Sequence, residues 1–423
     1  MKSTIPSIFL TDQFLNDLTK IERKNYALRL KLVKAIIENN GMTNAAVCNE
    51  LMISAPKSLN LINGLIEQGI LEQNEKANSI GGRKPVLNKL KDHTLYIVCA
   101  EIERFKLKIS ILDNNNNKAT DTASFSFSLS KNQASVNQLE ELISGYIEQS
   151  GLNPHRIIGI GIQMPGLIDY REGKNFTYMV GDRRNVSLRD QLSEHFNKPV
   201  FIVNDVKSSA IAELKFGLAK DKKDVLVILM DWGIGLGIIM DGKLRNGFSG
   251  FSGEMGHMPF VDDGALCYCG KKGCLETVAS GIALARMAKE GIQSGQDSLL
   301  NKLSDQEIDK IEPQLVIDAA NLGDQYAISI LSYIGEKLGK GIAILLQLFN
   351  PELIILSGKI AEAKQYITIP IQQAINTYSM TEIRERVAVE LSQLGADAGT
   401  MGIARMFFEE FFNEQIAKVD KNL

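Results

Sequence analysis

The chain has few of the residues that most often form covalent cross-links or bind metals. Among its 423 residues it has only five cysteines, four histidines and one tryptophan. It also has no uncharged apolar run near the ~20 residues that a helix needs to cross a bilayer. Its first ten residues lack both the apolar segment and the small-residue cleavage site of a secretory signal. We therefore expect a cytoplasmic protein with reduced thiols and no membrane partner.

No charge of one sign dominates the sequence. The formal net charge is −3, from 47 Lys and Arg against 50 Asp and Glu, so the chain as a whole is not a basic nucleic-acid-binding protein. The first 91 residues differ, because they hold 13 Lys and Arg against 8 Asp and Glu. A basic front on an acidic body favours contact between the front and phosphate groups. The length allows two to three domains.

Four of the cysteines and histidines lie in one short segment. Cys267, Cys269 and Cys274 fall within eight residues, and His257 lies ten residues before the first of them. Thiolates and imidazole are the ligands that Zn²⁺ prefers, and three Cys with one His complete a tetrahedron. A disulfide is the alternative, but a Cys-x-Cys pair is poorly spaced for one. The pattern predicts a closed, structural zinc site, a zinc knuckle over residues 257–274.

The same segment resembles the signature of a known family. Glu254-Met-Gly-His257, followed by Cys267-Tyr-Cys-Gly-Lys-Lys-Gly-Cys-Leu-Glu276, is similar to the motif of the ROK family of repressors, open reading frames and kinases. The resemblance implies an α/β fold with a two-lobed, ribonuclease-H-like body of the actin and hexokinase type, and a sugar in its cleft. Sugar kinases and sugar-responsive transcription factors share this fold, so other parts of the sequence must separate them.

The front of the chain has the apolar spacing of three helices. They are predicted over residues 24–38, 43–51 and 54–69. The last two are joined by a tight turn at Met52-Ile53, which is typical of a helix-turn-helix. A generic three-helix bundle with a solvated polar face is the alternative.

The third of these helices would present its polar face to DNA. We expect its buried stripe at Leu59, Ile62, Leu65 and Ile66. This stripe leaves on the outer face the side chains that would enter the major groove: Lys57, Ser58 and Asn60.

A short hairpin is predicted after the third helix. Its Gly81-Gly-Arg-Lys-Pro85 turn is similar to the wing of ROK repressors. Arg83 and Lys84 at the tip suit the minor groove or phosphates. We therefore predict a winged helix-turn-helix domain over residues 1–91, followed by a ROK body over residues 92–423.

Beyond residue 91 strands and helices alternate, which indicates an α/β body. Apolar strands are predicted at residues 95–101, 106–112, 157–162, 200–203, 225–230, 237–240, 243–245 and 353–356. Helices are predicted at residues 136–149, 206–216 and 331–349, and a loop at 395–402 opens a last helix.

Five polar side chains match the family positions that contact sugar. They are Asn204, Asp205, Glu254, His257 and Glu276. Amides and carboxylates suit this purpose, because each sugar hydroxyl both donates and accepts hydrogen bonds. The resemblance also places Asp205 at the catalytic base of the kinases, while a helix N-cap is the structural alternative for an Asp at a strand-to-helix junction.

The identity of the sugar is left open by the sequence. The family's usual Trp between the Pro-Gly and Asn-Asp blocks is missing, and Val180-Gly-Asp-Arg-Arg184 stands there instead. Arg183 or Arg184 could meet a phosphate or acid group, so we expect a sugar or a sugar phosphate as effector.

The phosphate loops of the family's kinases are altered. Where the first loop reads Asp-x-Gly-x-Thr in kinases, this chain has Glu101-Ile-Glu103-Arg-Phe105, and carboxylates with an aromatic ring would repel and obstruct a triphosphate. The second loop, Gly-Thr-Gly-x-Gly-x-Gly in kinases, is Asp231-Trp-Gly-Ile-Gly-Leu-Gly237 here. A hairpin turn would explain the remaining glycines equally well. We expect that the protein is not an enzyme.

These features predict a sugar-responsive DNA-binding regulator that represses genes of carbohydrate uptake or catabolism. Operator DNA and a sugar or sugar phosphate would be its partners, and operator symmetry together with the family implies a homodimer or higher homo-oligomer. An ATP-dependent sugar kinase with an added DNA-binding domain is the alternative function. A zinc-dependent scaffold that binds neither sugar nor DNA is a third, which the five polar residues disfavour.

Overall fold

A computed structural model describes residues 9, 15, 17–74, 86–179, 186–303, 308 and 311–421. The predicted wing tip with Arg83 and Lys84, and the pair Arg183 and Arg184, lie outside the described residues. The chain divides into two compact units. Unit 1 comprises Met1–Gly166, Tyr170–Val203 and Ile403–Leu423, and unit 2 comprises Leu167–Asp169 and Asn204–Gly402. The predicted winged-helix domain falls in unit 1, and its boundary at residue 91 stays a prediction.

The helices and strands are numbered in chain order. The helices are α1 (Lys20–Glu38), α2 (Asn44–Leu51), α3 (Ala55–Glu67), α4 (Gln133–Gln149), α5 (Leu188–Phe196), α6 (Asp205–Phe216), α7 (Glu276–Ala279), α8 (Gly281–Gln293), α9 (Pro313–Asn321), α10 (Gln325–Phe349), α11 (Gln365–Tyr378), α12 (Thr381–Arg384) and α13 (Ala398–Asp420). The strands are β1 (Met42–Thr43), β2 (Leu71–Asn74), β3 (Leu87–Leu90), β4 (Tyr96–Ile102), β5 (Lys106–Asp113), β6 (Ala123–Ser126), β7 (Ile157–Met164), β8 (Ile168–Asp169), β9 (Lys174–Asn175), β10 (Val200–Asn204), β11 (Val225–Met230), β12 (Ile234–Met240), β13 (Lys243–Leu244), β14 (Leu353–Ser357) and β15 (Ala388–Leu391). Among the helices of the described residues, none is both long enough and apolar enough to cross a membrane.

The front of unit 1 combines α1–α3 with a small sheet. A capping box starts α1, because the Thr19 hydroxyl accepts from the Glu22 N–H and the Glu22 carboxylate accepts from the Thr19 N–H. This box begins the helix one turn before the predicted start at residue 24. The sheet has the order β1-β3-β2 with antiparallel neighbours. Two helices joined by a turn and followed by a hairpin match the predicted helix-turn-helix arrangement.

The buried face of α3 differs from the predicted one. Ser58 is fully buried and Leu59 keeps 46% of its surface exposed, so the prediction that Ser58 points outward is wrong. The buried stripe runs through Ser58, Ile62 and Leu65. This stripe and the predicted one from Leu59 both have helical spacing. The two stripes share Ile62 and Leu65 and differ in whether Ser58 or Leu59 is buried. Packing against the rest of the unit decides this, and the apolar period alone does not.

Unit 1 also contains a five-stranded sheet with the order β10-β7-β4-β5-β6. β4, β5 and β6 pair antiparallel, while β7 runs parallel to β4. Its core includes buried side chains of both α1 and α13, among them Phe407 and Phe412. Polar contacts add to this packing, because Lys34 Nζ donates to Asn413 Oδ1 at 2.7 Å. The front of unit 1 therefore packs on the last helix of the chain.

Unit 2 repeats the strand order of the larger sheet as β13-β12-β11-β14-β15. β11, β12 and β13 pair antiparallel, and β14 runs parallel to β11 and β15. Leu226 and Ile228 of β11 face a core with α8–α11, whereas Val225 and Val227 face α6. In both units the strands lie in the order third, second, first, fourth, fifth. This repeated topology confirms the predicted ribonuclease-H-like, two-lobed class.

Candidate functional site

The predicted metal ligands lie on a loop of unit 2 between β13 and α7. A short 3-10 helix, Met255–His257, carries the histidine at its end. The cysteine segment folds into a tight turn, in which the Cys267 N–H donates to Lys271 O at 2.7 Å and the Gly270 N–H donates to Cys267 O at 2.9 Å. Gly270 has a φ of 86°, a left-handed conformation that favours glycine. This turn places the cysteine side chains next to one another.

The four side chains approach one another as the ligands of a single metal ion do. One ligand atom from each of His257, Cys267, Cys269 and Cys274 lies within 4.8 Å of the others. Cys269 Sγ and Cys274 Sγ are 3.7 Å apart, and Cys267 Sγ is 3.6 Å from His257 Nδ1. A tetrahedron with metal–sulfur bonds of about 2.3 Å and metal–nitrogen bonds of about 2.0 Å has edges of about 3.8 and 3.5 Å. The donor set fits a tetrahedral ion, and 3.7 Å is too long for a disulfide.

The second nitrogen of the His257 ring faces two polar side chains. Nε2 lies 3.0 Å from the Tyr268 hydroxyl oxygen and 3.9 Å from Glu254 Oε2. Burial lowers the pKa of His257, which favours the neutral ring that a metal ligand requires. A metal ion on Nδ1 would leave the ring proton on Nε2, so that this N–H donates to Tyr268. The sequence analysis missed Tyr268, whose only sequence signal is its place between two cysteines.

Asn204 and Asp205 lie where β10 leads into α6. Asn204 is the N-cap, and its Oδ1 accepts from the Val206 N–H at 3.1 Å, while Asp205 Oδ1 accepts from the same N–H at 2.8 Å. The N-cap position considered for Asp205 therefore belongs to Asn204. Burial, assisted by the nearby Asp231 and Glu254 carboxylates, raises the pKa of Asp205 to about 7. Such a carboxyl group can donate as well as accept hydrogen bonds near neutral pH.

Glu276 and Glu254 complete the same cluster. Glu276 is buried at the start of α7, and its Oε2 accepts from the Ile234 N–H at 3.1 Å. Burial raises the pKa of Glu276 to about 7, and the Glu254 and Asp205 carboxylates act in the same direction. The surrounding protein also raises the pKa of Glu254, although 41% of that side chain stays exposed. All five predicted sugar-binding residues therefore lie in one cluster of unit 2.

Lys207 is a member of this cluster that the sequence analysis missed. It lies in the first turn of α6 with 5% of its surface exposed, and its Nζ donates to Gly250 O. Burial lowers the pKa of Lys207, whereas Glu254 and Asp169 raise it. A cation at this position stabilises ionised carboxylates around it. Its sequence signal is a lysine two positions after Asp205, in a helical turn of otherwise small or apolar residues.

The glycines of residues 231–237 are explained by packing. The segment joins β11 to β12, and a Cβ at Gly235 or Gly237 would lie 2.8 or 2.5 Å from side chains of α6. The Asp231 carboxylate accepts from the Lys359 N–H at 3.1 Å. The backbone N–H of Lys359, which follows β14, is therefore already bonded to the Asp231 side chain.

The hairpin between β4 and β5 contains the other segment that the sequence analysis compares with a kinase phosphate loop. Glu103 forms an ion pair with Lys108 at 2.7 Å, so its charge is balanced within the hairpin. Phe105 keeps 46% of its surface exposed, with the Arg104 guanidinium 5.3 Å from its ring centroid. The hairpin therefore exposes an aromatic ring, while the Glu103 charge is paired.

The predicted DNA-contacting residues have different environments. Lys57 and Asn60 are exposed on α3, as predicted. Ser58 is buried, and within the described residues its hydroxyl oxygen has no hydrogen-bond partner. Leu59, which follows Ser58 in the sequence, is exposed instead.

Comparison with known proteins gives a consistent result over most of the chain. The family model described as ROK family matches residues 97–410. The xylose repressor of Bacillus spizizenii (strain ATCC 23059 / NRRL B-14472 / W23) is 28% identical over 399 residues, which are 94% of this chain and 98% of the repressor.

Two solved structures share the fold. A ROK family transcriptional regulator, described as a homologue of the E. coli MLC protein, has a TM-score of 0.73 at 24% identity and covers 93% of this chain and 99% of its own. A ROK family glucokinase from Streptomyces griseus, in complex with glucose and AMPPNP, has a TM-score of 0.65 at 29% identity and covers 74% of this chain and 98% of its own.

Proposed function

This chain belongs to the ROK family, and from that premise we propose that it is a sugar-responsive, DNA-binding transcriptional regulator that represses genes of carbohydrate uptake or catabolism. The extent of similarity carries the proposal. The match to the xylose repressor takes in 94% of this chain, whereas the match to the glucokinase structure takes in 74%. The family model begins at residue 97. The repressor therefore shares most of the front that contains α1–α3, and this front is absent from the family model.

The front would bind operator DNA through α3 and the wing. Lys57 and Asn60 are exposed on one face of α3, where a lysine and an amide can contact base edges in the major groove. Leu59 is also exposed, with 46% of its surface accessible, on the side of Asn60 away from Lys57, and an apolar side chain there suits the methyl group of thymine. Arg83 and Lys84 at the predicted wing tip would contact phosphates or the minor groove.

The sugar would bind to the polar cluster at the start of α6. Its members are Asn204, Asp205, Glu254, His257 and Glu276, to which the structure adds Lys207. Carboxyl groups with pKa values of about 7, those of Asp205 and Glu276, can serve as donors or acceptors. This versatility suits sugar hydroxyls, which both donate and accept.

A structural Zn²⁺ would be held by His257, Cys267, Cys269 and Cys274. Four protein ligands leave no open coordination position, so the ion would supply rigidity and no catalysis. His257 is both a predicted metal ligand and a neighbour of Glu254, at 3.9 Å. The metal loop would therefore fix the position of part of the sugar site.

ATP-dependent sugar phosphorylation is the alternative function, and the presence of Asp205 at the family's base position favours it. Phosphoryl transfer, however, depends on positioning and on neutralising charge around the phosphates. Here the Asp231 carboxylate accepts a hydrogen bond from the Lys359 N–H, and the Phe105 side chain is exposed on the β4–β5 hairpin. A negative charge and an aromatic ring at the two loops oppose triphosphate binding. We therefore propose that the protein does not phosphorylate its sugar.

Sugar would regulate DNA binding if it binds two states of a homodimer with different affinity. α13 offers a continuous route between the two sites, because its residues belong to both units. In unit 2 the Ser208 hydroxyl of α6 donates to Gly399 O at 2.8 Å. In unit 1 α13 accepts a hydrogen bond from Lys34 of α1 through Asn413. If α6 moves when sugar binds, we therefore expect α13, on which the front packs, to move as well.

Ligand binding to the purified protein tests this proposal. We would titrate it by calorimetry with D-glucose, D-xylose, N-acetylglucosamine, their phosphates and MgATP. The expected result is binding of one sugar ligand, no binding of ATP and no sugar-dependent ADP production. A sugar at 100 times its Kd should also stabilise the protein by about 2.7 kcal/mol. Sugar-dependent ADP production that disappears in Asp205→Asn would establish the kinase instead.

A further inference from the structure

The hydroxyl group of Tyr268 is hydrogen-bonded to the ring nitrogen of His257 that would contact a sugar hydroxyl. The Tyr268 hydroxyl oxygen lies 3.0 Å from His257 Nε2, and the two rings meet edge-on with centroids 5.1 Å apart. Nδ1 of the same ring is 3.6 Å from Cys267 Sγ, so it faces the metal ligands. With a metal ion on Nδ1, the ring has one N–H left, on Nε2.

The other candidate partner of this N–H is too distant to hold it. Glu254 Oε2 is 3.9 Å from Nε2, which is beyond hydrogen-bond range. One imidazole N–H makes one strong hydrogen bond, so the Tyr268 hydroxyl and a sugar hydroxyl are alternative acceptors for it. The two cannot both receive the bond at full strength.

The position of Tyr268 allows such an exchange. Its backbone is held between Cys267 and Cys269, two of the predicted metal ligands, while 55% of its surface is exposed. Rotation of an exposed side chain needs no rearrangement of the core. Movement of the ring would therefore leave the metal ligands in place and uncover Nε2.

We infer that Tyr268 is a placeholder for a sugar hydroxyl: its hydroxyl oxygen accepts the His257 Nε2–H in the sugar-free protein and gives up this bond when sugar binds. This inference rests on the proposed sugar site. The placeholder satisfies a polar group that would otherwise lose its partner, and it lowers the affinity for every sugar that must displace it. It also favours sugars with a hydroxyl at the position facing His257. A sugar without this hydroxyl would leave the N–H bonded to Tyr268 and would form no hydrogen bond with His257.

Tyr268→Phe tests the inference, because it removes the competing oxygen and keeps the ring. D-glucose, D-xylose and N-acetylglucosamine would be titrated by calorimetry into the zinc-loaded wild type, the variant and the control Tyr333→Phe, which alters an exposed tyrosine of α10. The variant should bind its sugar about twofold to tenfold more tightly than the wild type, and the control should not differ. Equal or weaker binding by Tyr268→Phe would overturn the inference, since weaker binding would make Tyr268 a direct sugar contact.

A second measurement separates this inference from the proposed function. Long-range ¹H–¹⁵N spectra of the four histidines should show one ring with its proton on Nε2 and a chemical shift typical of a hydrogen bond. This shift should be lost in Tyr268→Phe, and in the wild type it should change when the sugar binds. Sugar binding with no such change would refute the placeholder while leaving the sugar site intact. If neither protein binds any of the three sugars or their phosphates, that result would count against both proposals.

Discussion

Asp205→Asn should make the protein more stable at pH 8 while it weakens sugar binding. Burial raises the pKa of Asp205 from 3.8 to about 7. The folded state therefore binds this proton more tightly than the unfolded state, so stability falls as pH rises between these two values. The loss is complete above pH 7. Asparagine has no charge to bury, and its side-chain oxygen can still accept the Val206 N–H, which Asn204 also caps.

The size of the effect follows from the pKa shift. The difference between a pKa of 3.8 and a pKa of about 7 corresponds to roughly 4 kcal/mol. Part of the Asp205 side chain remains exposed, and solvent screening reduces this figure. We therefore expect Asp205→Asn to raise the free energy of unfolding by about 1–3 kcal/mol at pH 8, and by less at pH 5.

Urea unfolding at pH 5 and pH 8 would measure this difference. Fluorescence of Trp232, the only tryptophan in the sequence, reports on the same part of unit 2. Asp297→Asn, which changes an exposed carboxylate of unit 2, is the matched control and should have little effect at either pH. A gain of equal size at both pH values, or a loss at both, would refute the explanation by burial of charge.

Three further predictions concern the metal, the DNA and the packing of the front. Cys274→Ser should lose the single zinc that elemental analysis is expected to find in the wild type, and its sugar affinity should fall; unchanged sugar binding would break the proposed coupling. Lys57→Ala should weaken operator binding by ~1–3 kcal/mol in electrophoretic shift assays, whereas Lys220→Ala, an exposed lysine of unit 2, should not. Arg405 is buried with its Nη2 3.7 Å from Glu38 Oε1, and its Nε and Nη2 lack hydrogen-bond partners among the described residues. In urea unfolding, Arg405→Met should therefore leave the free energy of unfolding equal or higher, whereas Glu38→Gln should lower it by ~1–3 kcal/mol. The opposite order would contradict this.

Features encoded by short-range spacing were predictable from the sequence. The cluster of His257 with Cys267, Cys269 and Cys274 follows from ligand type and spacing, and the structure brings the four together as expected. The α/β class follows from alternating apolar strands and helices. Asp205, Glu254 and Glu276 come from separate segments, and their grouping was predictable only through the family resemblance.

Features that depend on tertiary contacts were not predictable in this way. The stripe through Ser58 and the stripe through Leu59 are both helical in period, and packing decides which is buried. Lys207 is recognisable as a site residue only when its Nζ is seen to donate to Gly250 O across the fold. Tyr268 acquires meaning through one hydrogen bond to a ring eleven residues away.

Operator affinity with and without sugar tests the central proposal most directly. DNA fragments selected by the full-length protein from its own genome would be titrated by fluorescence anisotropy at fixed salt, with and without the sugar identified by calorimetry. Coupling free energies of this kind are typically ~1–3 kcal/mol, so the sugar should change the Kd for the selected operator by about 5-fold to 150-fold. Asp205→Asn should bind the operator but respond much less to the sugar. Absence of sequence-specific DNA binding, or an operator Kd that the bound sugar does not change, would contradict the account.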